Sequence, residues 1–557
     1  MNKQQNPLIV QGDMTLLVEV HSPLYEKVRD HLAQFAELLK SPEHIHTYKI
    51  TPLSIWNASA AGYLVEEMIG ALQNYAKYEV PTHVLHEIKE YAARYGQVKL
   101  TRSEEGFFLL QTSEKCLAEE LAHYKELQGY FTDRLDDITF RIPLAFRGKL
   151  KIELIKTGWP AEDIIGYVSG EKLPLLLRST TSSGLPFSIR EYQKRASEIF
   201  YAEGGEKGGS GVIVLPCGAG KTVVAISVMA KYQVSVLILT TSVSAVRQWK
   251  REILDKMDID EEMVGEYSGH CKEIRPITIS TYQIITYRKN QEKEFAHFQL
   301  FQGRDWGLIV YDEVHVLPAP IFQITAEIQS RRRLGLTATL VREDGRESDV
   351  FALIGPKKYD VPWKVLEKQS WIAKAVCYEV RTSLPKHQRM EYAIADARTK
   401  FRIASENSEK LHVIRSILER HRGKQTLIIG QYIEQLESLA KIMNLPLING
   451  KTAQKKRDGI FHDFRCCKFP VLIVSKVANF ALDLPDAEVA IQVSGTYGSR
   501  QEEAQRLGRI LRPKQGENQA HFYTIVSRDT VEVEFARNRQ LFLTEQGYAY
   551  EIMDRVE

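Results

Sequence analysis

Three groups of residues have the types and spacing to do chemistry. Pro216, Cys217, Gly218, Ala219 and Gly220 make a glycine-rich turn after the apolar run 212–215, and Lys221 and Thr222 open the amphipathic stretch that follows. Strand, glycine-rich turn and helix form a phosphate cradle. Loop N–H groups and the helix end bind anionic oxygens, Lys221 reaches the terminal phosphates, and the Thr222 hydroxyl ligates magnesium. Leu215 stands where the general pattern has its first glycine. The second group, Asp312-Glu313-Val314-His315, directly follows the apolar run 308–311, so both carboxylates emerge at a strand's carboxyl end. Phosphoanhydride hydrolysis needs one carboxylate for the metal and another to activate water. We assign Asp312, with Thr222, to magnesium and Glu313 to general base. In the third group Gln505, Arg509 and Arg512 follow one another at intervals of four and three, which puts them on one helical face. This arrangement suits arginine fingers that neutralise transition-state charge from a second domain. A second G-K-T, Gly450-Lys451-Thr452, lacks the upstream loop glycines and precedes a polar run, so no second cradle is expected there.

The elements that must position these groups are apolar runs alternating with helices, the mark of a parallel sheet covered on both faces. Strands are predicted at 236–241, 277–281, 308–313 and 333–339, and a second set at 426–430, 446–450, 471–475, 489–494 and 521–526. Two α/β domains in tandem result, with ligands at the carboxyl ends of the strands. Ahead of them lies an accessory region. It begins with a strand at 16–20 and a helix from Leu24 to Lys40, whose Val28, Leu32, Phe35 and Leu39 recur at helical spacing. Helices at 59–78 and 81–95 follow, then a hairpin over 97–113 that turns at Glu104-Glu105-Gly106. Helices before a hairpin suggest a winged-helix arrangement that touches DNA or protein. A structural or autoinhibitory cap fits the same pattern. Beyond it are a strand near 138–142, a helix ending near Gly158, a helix started by Pro160, and a Ser/Thr-rich linker at 179–184. His44 and His46 lack further ligands nearby and read as packing or surface residues.

At 557 residues the chain is too long for one core. Its formal charge of +3 means that nucleic-acid affinity must come from local patches. None of the six cysteines makes a C-x-x-C pair, which argues against zinc and for a reducing cytosol. No apolar run approaches the roughly 18 residues of a membrane span, and no signal peptide is evident, so a cytoplasmic protein with no membrane partner is expected.

Residues 215–222, Asp312 to His315, Thr337-Ala338-Thr339 and 505–512 together resemble the motif set of superfamily-two helicases. Arg342-Glu343-Asp344, Ser475-Lys476-Val477 and Asp483-Leu484-Pro485 narrow the resemblance to the XPB family of DNA repair helicases, over about 185 to 530. The resemblance implies two tandem RecA-like parallel-sheet domains preceded by an α+β, winged-helix-like accessory region. It implies an accessory domain at 1–130, a small damage-recognition-like unit and linker at 131–184, an ATP-binding domain at 185–362, and a second domain at 363–557 with a thumb-like insertion near 385–410. The implied activity is that of an ATP- and Mg²⁺-dependent 3′-to-5′ DNA helicase, or double-stranded DNA translocase, in nucleotide-excision-type repair. Arg190 and Gln193 would lie at the adenine. His315, Thr337 and Thr339 would couple hydrolysis to movement, Arg342, Glu343 and Asp344 would act at the DNA junction, and Asp483 belongs with them. The implied partners are duplex or forked DNA and a separate repair nuclease, at the nucleoid in a bacterium or archaeon. A motor that tracks a strand holds phosphates through small hydroxyls and cations at strand ends. Thr240, Thr241, Ser242, Ser280, Thr281, Ser475 and Lys476 fit that description. An ATP-gated DNA clamp and the motor subunit of a restriction system are the alternatives.

Overall fold

Short runs of Val, Ile and Leu, buried on both faces, form two seven-stranded sheets. The computed structural model describes residues 5–40, 44–60, 62–103, 106–165, 169–205, 208–269, 271–287, 297, 299–317, 332–338, 347–475, 487–495, 500–513 and 518–554. They divide into two compact units. One comprises Met1–Leu39, Glu43–Leu215 and Gly220–Asp360; the other comprises Lys40–Pro42, Pro216–Ala219 and Val361–Glu557.

In the first unit the large sheet runs in the order Val264–Tyr267, Ile277–Thr281, Val236–Thr240, Leu308–Asp312, Arg332–Thr337, Ser210–Val214, Lys357–Asp360. The strands pair in parallel throughout. Such a sheet needs helices on its faces, and the buried sides of Glu191–Tyr201, Lys221–Tyr232 and Val243–Lys256 supply apolar cover. The second unit repeats the plan in the order Leu447–Ile448, Val471–Ser475, Thr426–Gly430, Val489–Gln492, Gln519–Ser527, Lys374–Thr382, Tyr550–Met553, again parallel. The segment expected to hold an insertion folds as two helices, Lys386–Ile394 and Ala397–Ser405. Asp396 Oδ1 caps the second by accepting from Arg398 N and Thr399 N at 2.8 and 3.0 Å. Among the described residues no helix is long and apolar enough to cross a membrane.

The accessory region departs from expectation in three places. The helix placed at 24–40 stops at Phe35, and Glu37–Lys40 is a strand. Its buried stripe, Val28, Leu32 and Phe35, is complete there, while Leu39 is 43% exposed. The helix placed at 59–78 is two, Pro52–Ala60 and Val65–Tyr75, broken around Gly62 at φ +84°. Pro160 starts no helix. Ala161–Asp163 instead adds a parallel strand to Val98–Arg102 of the predicted hairpin, whose other arm is Phe107–Thr112. Asp133–Arg134 and Thr139–Pro143 complete this five-stranded sheet, so residues on both sides of position 130 share it.

Asp163 shows why the tertiary setting wins at Pro160. Its carboxylate accepts from Arg147 Nε and Nη2 at 3.0 and 2.6 Å and from Lys151 Nζ at 3.0 Å. Burial opposes ionisation here, yet Lys151 and Arg147 hold the carboxyl well below the usual range. Burial, with Arg333 and Arg147 close by, pushes Lys151 down to about 8. The helix Arg147–Lys156 that carries these cations packs on Glu347–Ile354 of the parallel-sheet domain. The accessory region and that domain therefore belong to one unit.

Candidate nucleotide site

Parallel register gathers the site at one edge of the sheet. Val214 pairs with Thr337, Leu215 N donates to Thr337 O at 3.0 Å, and Leu336 pairs with Asp312. The loop after Val214 therefore leaves the sheet two strands from Asp312 and Glu313. Gly218 and Gly220 sit at φ +80° and +78°, where a side chain is strained. A Cβ on Gly220 would also lie 2.5 Å from Gln193 Nε2, so Gly220 leaves room for that buried side chain. Gln193 Oε1 accepts from Arg190 N at 3.1 Å, and Arg190 Nη1 donates to Tyr192 OH at 3.2 Å. Sequence-predicted Arg190 and Gln193 thus stand at the start of the helix Glu191–Tyr201, with Gln193 against the loop. Lys221 opens the helix Lys221–Tyr232, with Gly220 as its N-cap and Thr222 half-buried in the first turn.

Lys221 Nζ lies 3.2 Å from Glu313 Oε1. Asp312 Oδ2 accepts from Trp249 Nε1 at 2.8 Å, and its main-chain oxygen accepts from Tyr282 OH at 2.8 Å. Burial first, and the neighbouring Glu313 charge second, push the Asp312 carboxyl up to about 6, against the Trp249 hydrogen bond and Lys221. Glu313 takes left-handed backbone at φ +51°. His315 is buried, with Nδ1 2.7 Å from Thr337 Oγ1 and 3.4 Å from Glu313 Oε2. Adjacent carboxylates held at such a point are chemically suited to a hard divalent cation, with Asp312 and the Thr222 hydroxyl as oxygen donors. The two left-handed glycines and the helix end suit phosphate.

The raised Asp312 value gives a prediction. The folded protein holds this proton more tightly than the unfolded chain does, so ionisation costs stability as pH rises from about 4 to about 6. In metal-free protein at pH 7.5, Asp312→Asn should be as stable as the parent or more stable, by at most about 3 kcal/mol. The difference should vanish below pH 4. A lower melting temperature at pH 7.5 would mean that burial does not hold the proton on the Asp312 carboxyl.

The other predicted residues fall differently. Gln505 and the backbone of Arg509 lie on the helix Arg500–Ile510. That helix ends at Ile510, so Arg512 does not share its face. Pro513 follows, and the residue before a proline is driven to extended backbone. Thr240, Ser280, Thr281 and Ser475 are buried. Thr281 Oγ1 accepts from Ile284 N at 3.4 Å and Ser242 Oγ from Ala245 N at 3.2 Å, so these two hydroxyls cap helices. Thr241 is half-buried. Thr339, Arg342, Glu343, Asp344, Lys476, Asp483 and the Arg509 side chain lie outside the described residues.

Sequence reasoning missed Trp249 and Tyr282. Val246, Trp249 and Ile253 recur at helical spacing and signal burial. Nothing in that spacing signals that the indole N–H meets a carboxylate.

Comparison with known proteins bears on the same chain. A family model described as ERCC3/RAD25/XPB C-terminal helicase matches residues 366–557. Models described as type III restriction enzyme, res subunit, and as helicase conserved C-terminal domain match 186–342 and 8–136. The chain is 50% identical to the DNA 3′-5′ helicase XPB of Mycobacterium tuberculosis over 98% of both chains. It is 49% identical to the protein of that name from Kineococcus radiotolerans, over 98% of this chain and 96% of the other. It is 31% identical to the general transcription and DNA repair factor IIH helicase/translocase subunit XPB of Enterocytozoon bieneusi, over 99% of this chain and 93% of that one. With such identity along nearly the whole length of both partners, and with the cradle, the carboxylate pair and two parallel-sheet domains in place, this chain belongs to the XPB family of helicases.

Proposed function

We propose that the chain is an ATP-dependent DNA helicase or double-stranded DNA translocase that moves 3′ to 5′ and opens DNA for repair. The observation that carries the reading is the Lys221–Glu313 pair at 3.2 Å beside half-buried Asp312, at the sheet edge where the glycine loop emerges. In this resting arrangement the lysine is held by the residue assigned to general base. ATP phosphates compete for Lys221 and leave Glu313 Oε1 to take a proton from the attacking water as the bond to the γ-phosphorus forms and the β–γ bridge breaks. Magnesium bound by Asp312 and Thr222 would offset phosphate charge. Loop residues 216–220 hold phosphate oxygens, Arg190 and Gln193 face the adenine, and Gln505, Arg509 and Arg512 meet the charge of the transferring group.

His315 is within reach of both Glu313 and Thr337, which supports its role in passing the state of the carboxylate to the strand end. In this reading Thr339, Arg342, Glu343 and Asp344 receive it. Thr241, Lys476 and Asp483 remain as contacts or couplers to the strand, while Thr281 and Ser475 act there through the main chain. Duplex or forked DNA is the partner. A separate repair nuclease is the second proposed partner.

The test is strand displacement on forked DNA with either tail removed. Activity that survives loss of the 5′ tail and fails on loss of the 3′ tail is expected. ATP-dependent DNA retention with neither displacement nor translocation would favour a clamp. A further expectation concerns Cys217, a partly exposed thiol in the loop. Alkylation should suppress ATPase at least about tenfold, by crowding the phosphate path, and ATP should protect against it. Full activity after modification confirmed by mass spectrometry would remove Cys217 from the phosphate path.

A further inference from the structure

At roughly 100° per residue, Glu503 lies about 160° around the helix Arg500–Ile510 from Gln505 and about 120° from position 509, with Arg506 between Glu503 and position 509. Glu503 is fully buried and Arg506 is 1% exposed. A carboxylate so placed requires partners, and four elements of the second unit supply them. Glu503 Oε2 accepts from Gln492 Nε2 at 2.9 Å and lies 3.6 Å from Arg539 Nε. Glu503 Oε1 accepts from Tyr550 OH at 3.3 Å and from Thr524 Oγ1 at 3.4 Å. Gln492 Oε1 accepts in turn from Arg506 Nη1 at 2.5 Å, closing the network back onto the helix. A Cβ on Gly495 would collide with the Arg539 guanidinium, so a glycine there makes room for it.

Gln492 and Thr524 come from central strands of the sheet, whereas Tyr550 comes from its outermost strand, Tyr550–Met553. Tyr550 is not among the residues assigned above to ATP, yet its hydroxyl reaches a buried carboxylate on the helix that carries Gln505 and Arg509. We infer that Tyr550 is a positioning residue for ATP hydrolysis: through Glu503 it sets the rotation and depth of the helix that bears Gln505 and Arg509. The inference rests on the proposed role of Arg509. A small rotation of a helix displaces the tip of a long arginine by far more than its axis, and displacement of about 1 Å at a reacting centre reduces rate by up to about 100-fold.

Tyr550→Phe keeps the ring and removes only the donor. Its DNA-stimulated kcat should fall roughly tenfold with KM for ATP unchanged. Affinity for ADP with aluminium fluoride, which mimics the transferring phosphoryl group, should fall in step, while affinity for ADP alone holds. Thr524→Val, which removes the neighbouring donor, should give the same split to a smaller degree and serves should Tyr550→Phe fail to fold. Wild-type kcat and aluminium-fluoride affinity in folded Tyr550→Phe, with or without a lowered melting temperature, would overturn the inference. Arg509→Ala, measured alongside, separates the two levels: retained hydrolysis in that variant would remove the role of Arg509 itself, and the positioning inference with it.

Discussion

Lys221→Ala and Glu313→Gln should each abolish DNA-stimulated ATP turnover, but by routes that binding measurements tell apart. Removing a preorganised cation from transferring phosphoryl oxygens costs about 10²- to 10³-fold in kcat, and removing a general base costs about 10²- to 10⁴-fold. In the resting protein Lys221 Nζ and Glu313 Oε1 are 3.2 Å apart, with side chains 12% and 23% exposed, so each partly neutralises the other before ATP arrives. Lys221→Ala loses a phosphate contact and leaves Asp312 and Glu313 as adjacent carboxylates with their lysine gone, so ATP binding should weaken. Glu313→Gln removes the competitor for Lys221 and relieves the like charge beside Asp312. ATP should bind Glu313→Gln as tightly as the parent or more tightly, in a complex that does not turn over. Nucleotide titration with a fluorescent ATP analogue, paired with phosphate release, measures both quantities. DNA-stimulated turnover retained in either variant would displace the assignment, and weakened binding in Glu313→Gln would show that the resting ion pair is no obstacle to ATP.

The largest expected effect on stability lies in the second unit. Lys410 and Glu532 are 1% and 0% exposed, with Nζ 2.8 and 2.9 Å from the two carboxylate oxygens. Lys410 Nζ also donates to Val493 O at 2.8 Å, and Glu532 Oε2 accepts from Ser527 N at 2.9 Å. Burial pushes the Lys410 ammonium below its usual range while Glu532 holds it up. The pair joins the helix Lys410–Arg420 to the helix Val531–Glu545, which are distant in sequence. Lys410→Met leaves a carboxylate sealed from water without its cation, which costs about 3–5 kcal/mol. For a domain of this size that is a fall of roughly 6–20 °C in melting temperature. Lys410→Met with Glu532→Leu removes both charges and should recover most of the loss. Calorimetry on the parent and the two variants decides the matter. A single variant that melts within about 2 °C of the parent would mean that water reaches the pair.

The local chemistry was legible in the chain because it is contiguous. Residues 216–222 need only one strand, one turn and one helix to become a cradle, and Asp312-Glu313 need only follow an apolar run to reach a sheet edge. Local propensity was less reliable where neighbours compete. Pro160 read as a helix start until the edge of Val98–Arg102 and the cations around Asp163 drew the segment into a sheet. Arg512 read as a third tooth on one helix until the chain left that helix at Ile510. Thr281 read as a strand-end hydroxyl open to a phosphate, whereas its oxygen caps the next helix.

By itself the sequence determined the alternation of strand and helix, the phosphate turn and the identity of the paired carboxylates, since each depends on residues within one or two turns of chain. The tertiary structure decided which groups bear on them: Trp249 on Asp312, His315 between Glu313 and Thr337, and Tyr550 behind the helix of Arg509. Those contacts join residues 2 to 63 positions apart in directions that depend on how helices roll against a sheet. Hydrophobic spacing encodes which face of an element is buried; only packing determines where a buried indole, imidazole or phenol points its single polar atom.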